Sequence, residues 1–239
     1  MGPIPTSPAP LHVDGLTKRY GRVEALSGVS FDIRSGEILG LIGPNGSGKT
    51  TLFECLAGFL TRDAGTVRAD GRALQQDEVP HTLFYLPDGI APWPQETVSW
   101  ALAFVARLFD VGDDSRRRAV DEFDLAPLGA TRIRALSKGQ RKRVLLALGS
   151  MTRQPYWLID EPFDGLDLRQ TREVAAILRR HAAAGRTLLL SIHQIADAEH
   201  ICDRFVLLSS GRVRGAGTLA ELRTLAGAAT LEEVFLALT

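Results

Sequence analysis

A short apolar run, Ile38–Ile42, leads directly into a glycine-rich segment, and this junction constrains the fold most. Eight residues of the segment fit the pattern G-x-x-x-x-G-K-[ST]: Gly43, Pro44, Asn45, Gly46, Ser47, Gly48, Lys49 and Thr50. Helix-forming residues continue over 50–57 and stop at Gly58. Since an apolar run bounded by glycine is typical of a buried parallel strand, the sequence predicts a strand, a loop and a helix in succession.

This loop predicts binding of a nucleoside triphosphate. In such loops, glycines let backbone N–H groups turn inward around the β-phosphate, and the helix N-terminus adds its positive dipole end. Lys49 is expected to contact the β- and γ-phosphates, and the Thr50 hydroxyl to bind Mg²⁺. Thr51, next in the first helical turn, is also assigned to the nucleotide. The alternative is a chance glycine-rich turn, and the flanking strand and helix argue against it.

The rest of the chain alternates strand and helix patterns, which predicts an α/β fold with a parallel sheet. Further strands are predicted at residues 29–33, 66–69, 83–86, 156–159, 187–192 and 205–209. Residues 11–13 are expected to start an edge strand, residues 15–22 to form a turn, and residues 35–37 to form a hairpin turn. A helix is predicted over 170–181, and helical periodicity within 88–151 predicts a helical block that separates two halves of the sheet.

Composition excludes several classes of protein. Lys plus Arg equals Asp plus Glu at 28 each, so the chain lacks the basic excess of a typical nucleic-acid binder. No apolar run reaches the roughly 18 residues that a membrane-spanning helix needs. Residues 1–10 contain four prolines and no signal-peptide pattern, so a disordered tail is expected. Cys55 and Cys202 are expected to be buried, reduced thiols.

Two adjacent carboxylates, Asp160 and Glu161, end the strand predicted at 156–159. Because successive side chains of a strand point to opposite faces, the two are expected to have different roles. Asp160 is placed to hold Mg²⁺ through water, as in other phosphate-loop ATPases. Glu161 is then the candidate general base that polarises the attacking water. The structural alternative for each is a carboxylate that only closes a strand at a turn.

The string Leu136-Ser137-Lys138-Gly139-Gln140 narrows the family. With the phosphate loop upstream and the carboxylate pair downstream, it resembles the signature of ATP-binding-cassette (ABC) ATPases. Lys138 stands where glycine is commoner in that family. The resemblance implies that a second subunit's γ-phosphate is contacted by Ser137, Gly139 and Gln140. The structural alternative is a serine N-cap on a helix with basic residues at 141–143, and both interpretations can hold together.

The resemblance covers about residues 11–222 and implies a particular domain organisation. It implies an α/β, RecA-like phosphate-loop NTPase core, formed by residues 11–87 and 152–222, with an antiparallel β subdomain at its N-terminal side. A helical subdomain, residues 88–151, is inserted into this core. Residues 223–239 form a C-terminal helical tail, in which 231–238 predict a short amphipathic helix.

The resemblance also implies roles for three residues outside these motifs. Tyr20 matches the aromatic side chain that stacks on adenine, with an ordinary exposed turn tyrosine as the alternative. His193 matches the family's switch histidine near the γ-phosphate, with a strand-closing cap as the alternative. Asp167, in Gly165-Leu166-Asp167, matches the loop that passes between the two subunits of the closed dimer.

One position departs from the family pattern. After the strand at 83–86 the family usually places a glutamine that touches Mg²⁺ and links ATP to the transport partner. Here the chain has Tyr85-Leu86-Pro87-Asp88. Some exporter-type subunits that it resembles have an acidic residue there, so Asp88 is a candidate metal ligand. Its charge would favour Mg²⁺ and oppose the γ-phosphate.

These assignments imply an ATP-hydrolysing subunit that uses ATP and Mg²⁺ and pairs as a homodimer or with another cassette. It would be cytoplasmic, peripheral on the inner face of the membrane, bound to a separate permease, and without direct nucleic-acid contact. Three segments resemble exporter cassettes of the drug, polysaccharide and haem branch: the signature, the string that ends at Asp88, and residues 231–235. An importer cassette is the alternative. Trp93, between two prolines, marks the expected permease groove or packs inside the helical block. A soluble ABC ATPase acting on ribosomes or nucleic acid is the second hypothesis.

Overall fold

The computed structural model describes residues 10–239, which form two compact units. Residues 10–85, 154–161 and 181–239 form the first unit, and residues 86–153 and 162–180 form the second. Of the predicted tail at 1–10, all but Pro10 lies outside the described residues.

The strands are β1 (Leu11–Tyr20), β2 (Val23–Ile33), β3 (Ile38–Ile42), β4 (Ala64–Ala69), β5 (Arg72–Ala73), β6 (Leu83–Leu86), β7 (Tyr156–Asp160), β8 (Thr187–Ser191), β9 (Arg204–Ser209) and β10 (Arg212–Gly217). The helices are α1 (Lys49–Leu56), α2 (Val79–Thr82), α3 (Val98–Leu108), α4 (Asp113–Glu122), α5 (Lys138–Ser150), α6 (Leu168–Ala183), α7 (Ile195–Ile201), α8 (Leu219–Ala226) and α9 (Leu231–Leu238). Two 3₁₀ turns lie at Ala126–Leu128 and Ile133–Ala135.

A six-stranded sheet in the order β10-β9-β3-β8-β7-β6 forms the centre of the first unit. β3 pairs in parallel with β8 and β9, and β7 pairs in parallel with β8, while β10 runs antiparallel to β9. Every residue of β3, β7, β8 and β9 is buried, which explains their nearly continuous apolar sequences. The predicted parallel sheet is therefore confirmed. Because β3, β8 and β7 are parallel neighbours, their carboxyl ends meet at one edge of the sheet.

The second sheet of this unit is antiparallel, in the order β2-β1-β4-β5. A strand starts at residue 11 as predicted, but its predicted edge position was wrong, since β1 extends to Tyr20 and lies between β2 and β4. The predicted turn over 15–22 was also wrong, because β1 passes through most of it and only residues 21–22 form the hairpin turn. The ladder shifts register between Val13 and Leu16, around Gly15 at φ +63°, so a bulge lets the strand continue.

The hairpin predicted at residues 35–37 was wrong as well. β2 and β3 do not pair, because β2 belongs to the antiparallel sheet and β3 to the six-stranded sheet. The turn therefore carries the chain from one sheet to the other. One continuous core joins both sheets and α1, through side chains such as Leu11, Val29, Leu41, Phe53, Leu158 and Val206.

The second unit is mainly helical, as the periodicity within 88–151 predicts. It contains α3, α4 and α5 together with most of α6. Its buried apolar side chains include Leu102, Val105, Phe123, Leu145 and Ile177. The helix predicted over 170–181 lies within α6, and the one predicted over 231–238 is α9, in the first unit.

Candidate functional site

The glycine-rich loop connects the carboxyl end of β3 to α1, and its backbone leaves no room for larger residues at two positions. A Cβ on Gly43 would lie 2.3 Å from the Leu208 carbonyl oxygen and 2.5 Å from Ser47 Oγ. Gly48 adopts φ +108°, and a Cβ there would lie 2.8 Å from the Ala25 carbonyl oxygen. The loop is therefore held against β9 and β2, and only glycine fits these contacts.

Lys49 opens α1 and its ammonium group is folded across the loop. Nζ donates hydrogen bonds to the carbonyl oxygens of Gly43 at 2.7 Å and Pro44 at 3.3 Å. Burial lowers the pKa of Lys49 below its ordinary value, although the charges of Glu161 and Asp160 act in the opposite direction. The lysine therefore belongs to the same electrostatic site as the two carboxylates.

The remaining loop residues suit a phosphate ligand. Asn45 and Gly46 are exposed at the tip of the loop, and Thr50 is exposed in the first turn of α1, followed by the half-buried Thr51. Ser47 is 1% exposed, and within residues 10–239 its Oγ has no hydrogen-bond partner. A buried hydroxyl without a partner is costly unless a ligand completes it, so the loop fits a polar guest.

Asp160 and Glu161 follow each other at the carboxyl end of β7, and Ser191 at the end of β8 contacts both. The Ser191 hydroxyl donates a hydrogen bond to Asp160 Oδ1, and its oxygen accepts one from the Glu161 backbone N–H at 3.2 Å. Ser191 is fully buried and Asp160 is 6% exposed. The serine therefore fixes both the carboxylate of Asp160 and the backbone of its neighbour.

Glu161 has an unusual backbone and a close partner. Its φ is +49°, in the left-handed region that non-glycine residues rarely adopt. Its Oε2 lies 2.5 Å from His193 Nδ1 and accepts a hydrogen bond from the His193 backbone N–H at 3.3 Å. Burial raises the pKa of Glu161 above its ordinary value, while the contact with His193 opposes that shift. The structure thus brings these two predicted catalytic residues together.

Tyr20 ends β1 and is 47% exposed. The ammonium of Lys18 lies 5.5 Å from the centre of its ring. The ring is accessible for stacking, and its assignment to adenine stays a prediction.

In the second unit, the signature string begins α5 with a capping box. Ser137 is the N-cap, and its Oγ accepts a hydrogen bond from the Gln140 backbone N–H at 3.1 Å. Gln140 Oε1 in turn accepts from the Ser137 N–H at 2.9 Å. A Cβ on the buried Gly139 would lie 2.7 Å from the Gly165 carbonyl oxygen. Ser137 is therefore an N-cap, which is the structural alternative given for the signature string. The serine is also exposed at the helix N-terminus.

Asp167 lies in the loop that faces this turn, and the structure gives it a local function. Its Oδ1 accepts a hydrogen bond from the Gln170 backbone N–H at 2.8 Å, and Gln170 Oε1 accepts one from the Asp167 N–H at 3.2 Å. Asp167 therefore caps the start of α6. The aspartate is exposed, so a role at a subunit interface stays a prediction.

Asp88 is bonded to a lysine of the signature helix. Its Oδ1 lies 2.9 Å from Lys142 Nζ. The side chain of Lys142 is only 4% exposed, whereas that of Asp88 is 34% exposed. Burial favours the neutral carboxyl, but the hydrogen bond and charge of Lys142 outweigh it and hold the pKa of Asp88 below its ordinary value. The assignment of Asp88 to Mg²⁺ stays a prediction.

Residues 26–164 match the family described as ABC transporter. The chain belongs to the ABC transporter family. It is 33% identical over 228 residues to the daunorubicin resistance ATP-binding protein DrrA3 of Streptomyces coeruleorubidus, covering 93% of this chain and 72% of the relative. It is 31% identical over 220 residues to the sn-glycerol-3-phosphate import ATP-binding protein UgpC 1 of Rhizobium johnstonii, covering 90% and 60%.

Solved structures agree with this assignment. A structure described as the ATP-binding subunit of an ABC transporter superposes with a TM-score of 0.87 at 30% identity, over 95% of this chain and 98% of the other. This ABC subunit therefore binds ATP, has a phosphate-loop NTPase fold, and is an ATPase that powers transport. Within the described part of the chain, no helix is both long enough and apolar enough to cross a membrane.

The second unit of this ABC subunit also has an accessible group of rings, which we call the aromatic cluster: Trp93, Trp100 and Phe104. The Trp93 ring centre lies 5.8 Å from that of Trp100 and 5.1 Å from that of Phe104, which stack on each other at 5.1 Å. Trp100 is 40% exposed and Phe104 is 38% exposed. Trp93 is half-buried, so both interpretations of it hold in part: it packs in the helical unit and borders an accessible apolar surface.

Sequence reasoning missed three residues of these sites. Ser191 could have been suspected as a hydroxyl that interrupts an otherwise apolar strand two residues before His193. The basic residues at 141–143 indicate a solvated helix end, but Lys142 is buried. Asp164, which pairs with Lys138, gave no signal because its partner is distant in sequence.

Proposed function

We propose that this ABC subunit hydrolyses ATP with Mg²⁺ through Glu161 as the general base. The observation that supports this most is the group formed by Lys49, Asp160, Glu161 and His193 beside the phosphate loop. Mg²⁺, held by the Thr50 hydroxyl and through water by Asp160, would neutralise charge on the phosphates.

The chain's own residues then position the reactants. Glu161 accepts a proton from a water molecule whose oxygen attacks the γ-phosphorus, and the bond to the β–γ bridging oxygen breaks to give ADP and phosphate. His193, held by Glu161, orients that carboxylate and reaches toward the γ-phosphate. Lys49 and the loop N–H groups bind the phosphates, and Tyr20 stacks on the adenine.

The base assignment is tested with Glu161→Gln. We expect turnover to fall by about 100-fold or more, since a positioned base contributes about that much, while ATP affinity changes by less than about threefold. Glu173→Gln, at an exposed glutamate paired with Arg169, is the matched control and should behave as wild type. Undiminished turnover in Glu161→Gln would refute the assignment.

We further propose that the site is completed by a second cassette, in a homodimer or with a paired subunit. Ser137, which is exposed at the start of α5, would contact the γ-phosphate bound by the opposite subunit together with Gly139 and Gln140. Asp167 would lie between the subunits. The helix N-terminus supports this, because its backbone N–H groups favour an anionic ligand.

The chain is proposed to lie peripherally on the inner face of the membrane, where it binds a separate membrane permease, and the direction is proposed to be export. The aromatic cluster supports docking, since exposed neighbouring aromatic rings are typical of interaction surfaces. The relative named for daunorubicin resistance and the resemblance to exporter cassettes support export. Relatives named as transporter subunits do not favour the ribosome or nucleic-acid alternative.

Direction is tested in inside-out vesicles that contain this chain and its permease, with fluorescent daunorubicin as the probe. An exporter is expected to accumulate the probe when ATP is added, because such vesicles expose the cassette outside. ATP-dependent release of preloaded probe would instead indicate import.

A further inference from the structure

The signature helix has two lysines one turn apart, and each is bound to a carboxylate of another segment. Lys142 pairs with Asp88, in the segment that follows β6, at 2.9 Å. Lys138 pairs with Asp164, in the segment that precedes α6. We call these two ion pairs the signature clamp. All four residues belong to the second unit.

The pair between Lys142 and Asp88 is the inner half of the clamp. The Lys142 side chain is 4% exposed, so its ammonium has lost most of its hydration and depends on protein acceptors. Removing one partner of such a pair takes from the buried charge an acceptor that replaced its hydration, which is more costly than losing a surface ion pair. The position of Asp88 is therefore strongly coupled to that of the helix.

The pair between Lys138 and Asp164 lies on the outer side, with side chains 55% and 29% exposed. Here steric contact adds to charge. A Cβ on Gly165 would lie 2.6 Å from Lys138 Cγ, and a Cβ on Gly139 would lie 2.7 Å from the Gly165 carbonyl oxygen. The first turn of α5 is thus pressed against the 164–167 loop with no space between them.

Both ion pairs hold the first two turns of α5. Lys138 is the first residue of α5 and Lys142 lies four positions later, so the two lysines lie on the same helix face. The charge of Lys138 also helps to hold the pKa of Asp88 low, after the opposing effect of burial and the larger effects of Lys142. The two halves of the clamp are therefore close enough to influence each other.

We infer that the signature clamp makes Asp88 a positioning residue that transmits displacement of the 88–96 segment to Ser137 and Gly139. This inference rests on the proposed function, since it names how partner docking would regulate that same ATP site. A permease that moves Asp88 would move Lys142 with it, and the helix N-terminus would follow. Lys138 would extend that movement to the 164–167 loop.

The test is a double-mutant cycle in the full chain with Asp88→Asn, Lys142→Met and the double variant, each in the Glu161→Gln background. The control is Asp113→Asn, which breaks an exposed ion pair with Arg116 in the same unit. We measure hydrogen exchange at the Ser137 and Gln140 amides, and the dissociation constant of the ATP-bound dimer. ATP affinity and its Mg²⁺ dependence are measured in parallel.

Asp88→Asn is expected to speed exchange at these amides and to weaken dimerisation, each by about tenfold, while ATP affinity changes by less than about threefold. The double variant should be no worse than the poorer single variant, because it removes the buried charge with its partner. Asp88→Glu, which keeps the charge, should recover most of the loss, and Asp113→Asn should match the parent.

Two results would overturn the inference. Additive effects of the single variants would show that the two side chains do not act together. An equal loss of ATP affinity and Mg²⁺ dependence in Asp88→Asn would assign Asp88 to the metal instead. If the parent fails to dimerise with ATP, the proposed function fails, and hydrogen exchange alone still decides whether the clamp exists.

Discussion

Replacing Ser191 by alanine should impair catalysis without abolishing nucleotide binding. The substitution removes one hydroxyl from a fully buried position and leaves the strand otherwise unchanged. That hydroxyl donates to the carboxylate of Asp160 and accepts from the backbone N–H of Glu161. Ser191→Ala therefore loosens the carboxylate of Asp160 and removes one of the two acceptors of the Glu161 N–H.

The size of the effect follows from these contacts. A hydrogen bond to a charged group contributes about 1.5–3 kcal/mol. The Glu161 N–H keeps a second acceptor, the Ser191 carbonyl oxygen at 3.2 Å, so only the bond to Asp160 is fully lost. We expect a loss of about 2 kcal/mol in unfolding free energy. If the same interaction orients Asp160 during the reaction, kcat should fall about 10- to 100-fold, at about 1.4 kcal/mol per tenfold.

The assay combines steady-state phosphate release with urea unfolding. KM for ATP should change by less than about threefold, because the residues that Ser191 bonds, Asp160 and Glu161, lie outside the phosphate loop. Ser209→Ala is the control, since Ser209 is a 5% exposed serine at the end of β9, another strand of the same sheet, and is bonded to the Thr239 carbonyl oxygen. If the two variants have the same kcat, the reasoning about Ser191 is refuted.

Three further predictions follow from single sites. Gly43→Ala should lower the unfolding free energy by about 1–3 kcal/mol, measured by urea unfolding, and weaken ATP binding at least tenfold, measured by calorimetry. The reason is that the added Cβ would lie 2.3 Å from the Leu208 carbonyl oxygen. The control Gly112→Ala, whose Cβ would have nothing within 4 Å, should change neither quantity. Burial raises the pKa of the Cys55 thiol to about 11, so iodoacetamide should label this thiol at pH 8 only when the protein unfolds, as followed by mass spectrometry. The contribution of the protonated Cys55 thiol to stability should be lost as pH rises from about 9 to about 11. Trp100→Ser should reduce co-purification with the permease about tenfold, with ATP hydrolysis by the isolated subunit unchanged; equal co-purification would contradict docking at the aromatic cluster.

How much of the fold the sequence predicts depends on how local the determinant is. β3, the phosphate loop and α1 follow from contiguous residues, because burial on both sheet faces and the glycine pattern are written in one stretch. β1 does not, since its bulge at Gly15 interrupts the alternation and its neighbours, β2 and β4, are separate segments. The hairpin predicted at 35–37 is wrong for a similar reason, because the residues of the turn do not indicate that the next strand belongs to another sheet.

In the candidate site, too, the sequence predicts residues with a local signal and misses residues whose partners are distant in sequence. Asp160 and Glu161 are evident from their place after an apolar run. Ser191, which binds both, is 30 or more residues away, and nothing local indicates which strand lies beside β7. Lys142 is misjudged because a basic triplet suggests a solvated helix end, whereas a carboxylate 54 positions earlier stabilises it in a buried place.

The central claim is that ATP bound by one cassette is completed by the signature of another. Sedimentation velocity of Glu161→Gln, with Mg²⁺ and with or without ATP, tests it most directly. Slow hydrolysis should preserve the ATP-bound state, so we predict a monomer without ATP and a species of twice that mass with ATP. Adding a charged residue at the exposed signature start, as in Ser137→Glu, should abolish that dimer. A monomer at saturating ATP in the Glu161→Gln protein would contradict the account.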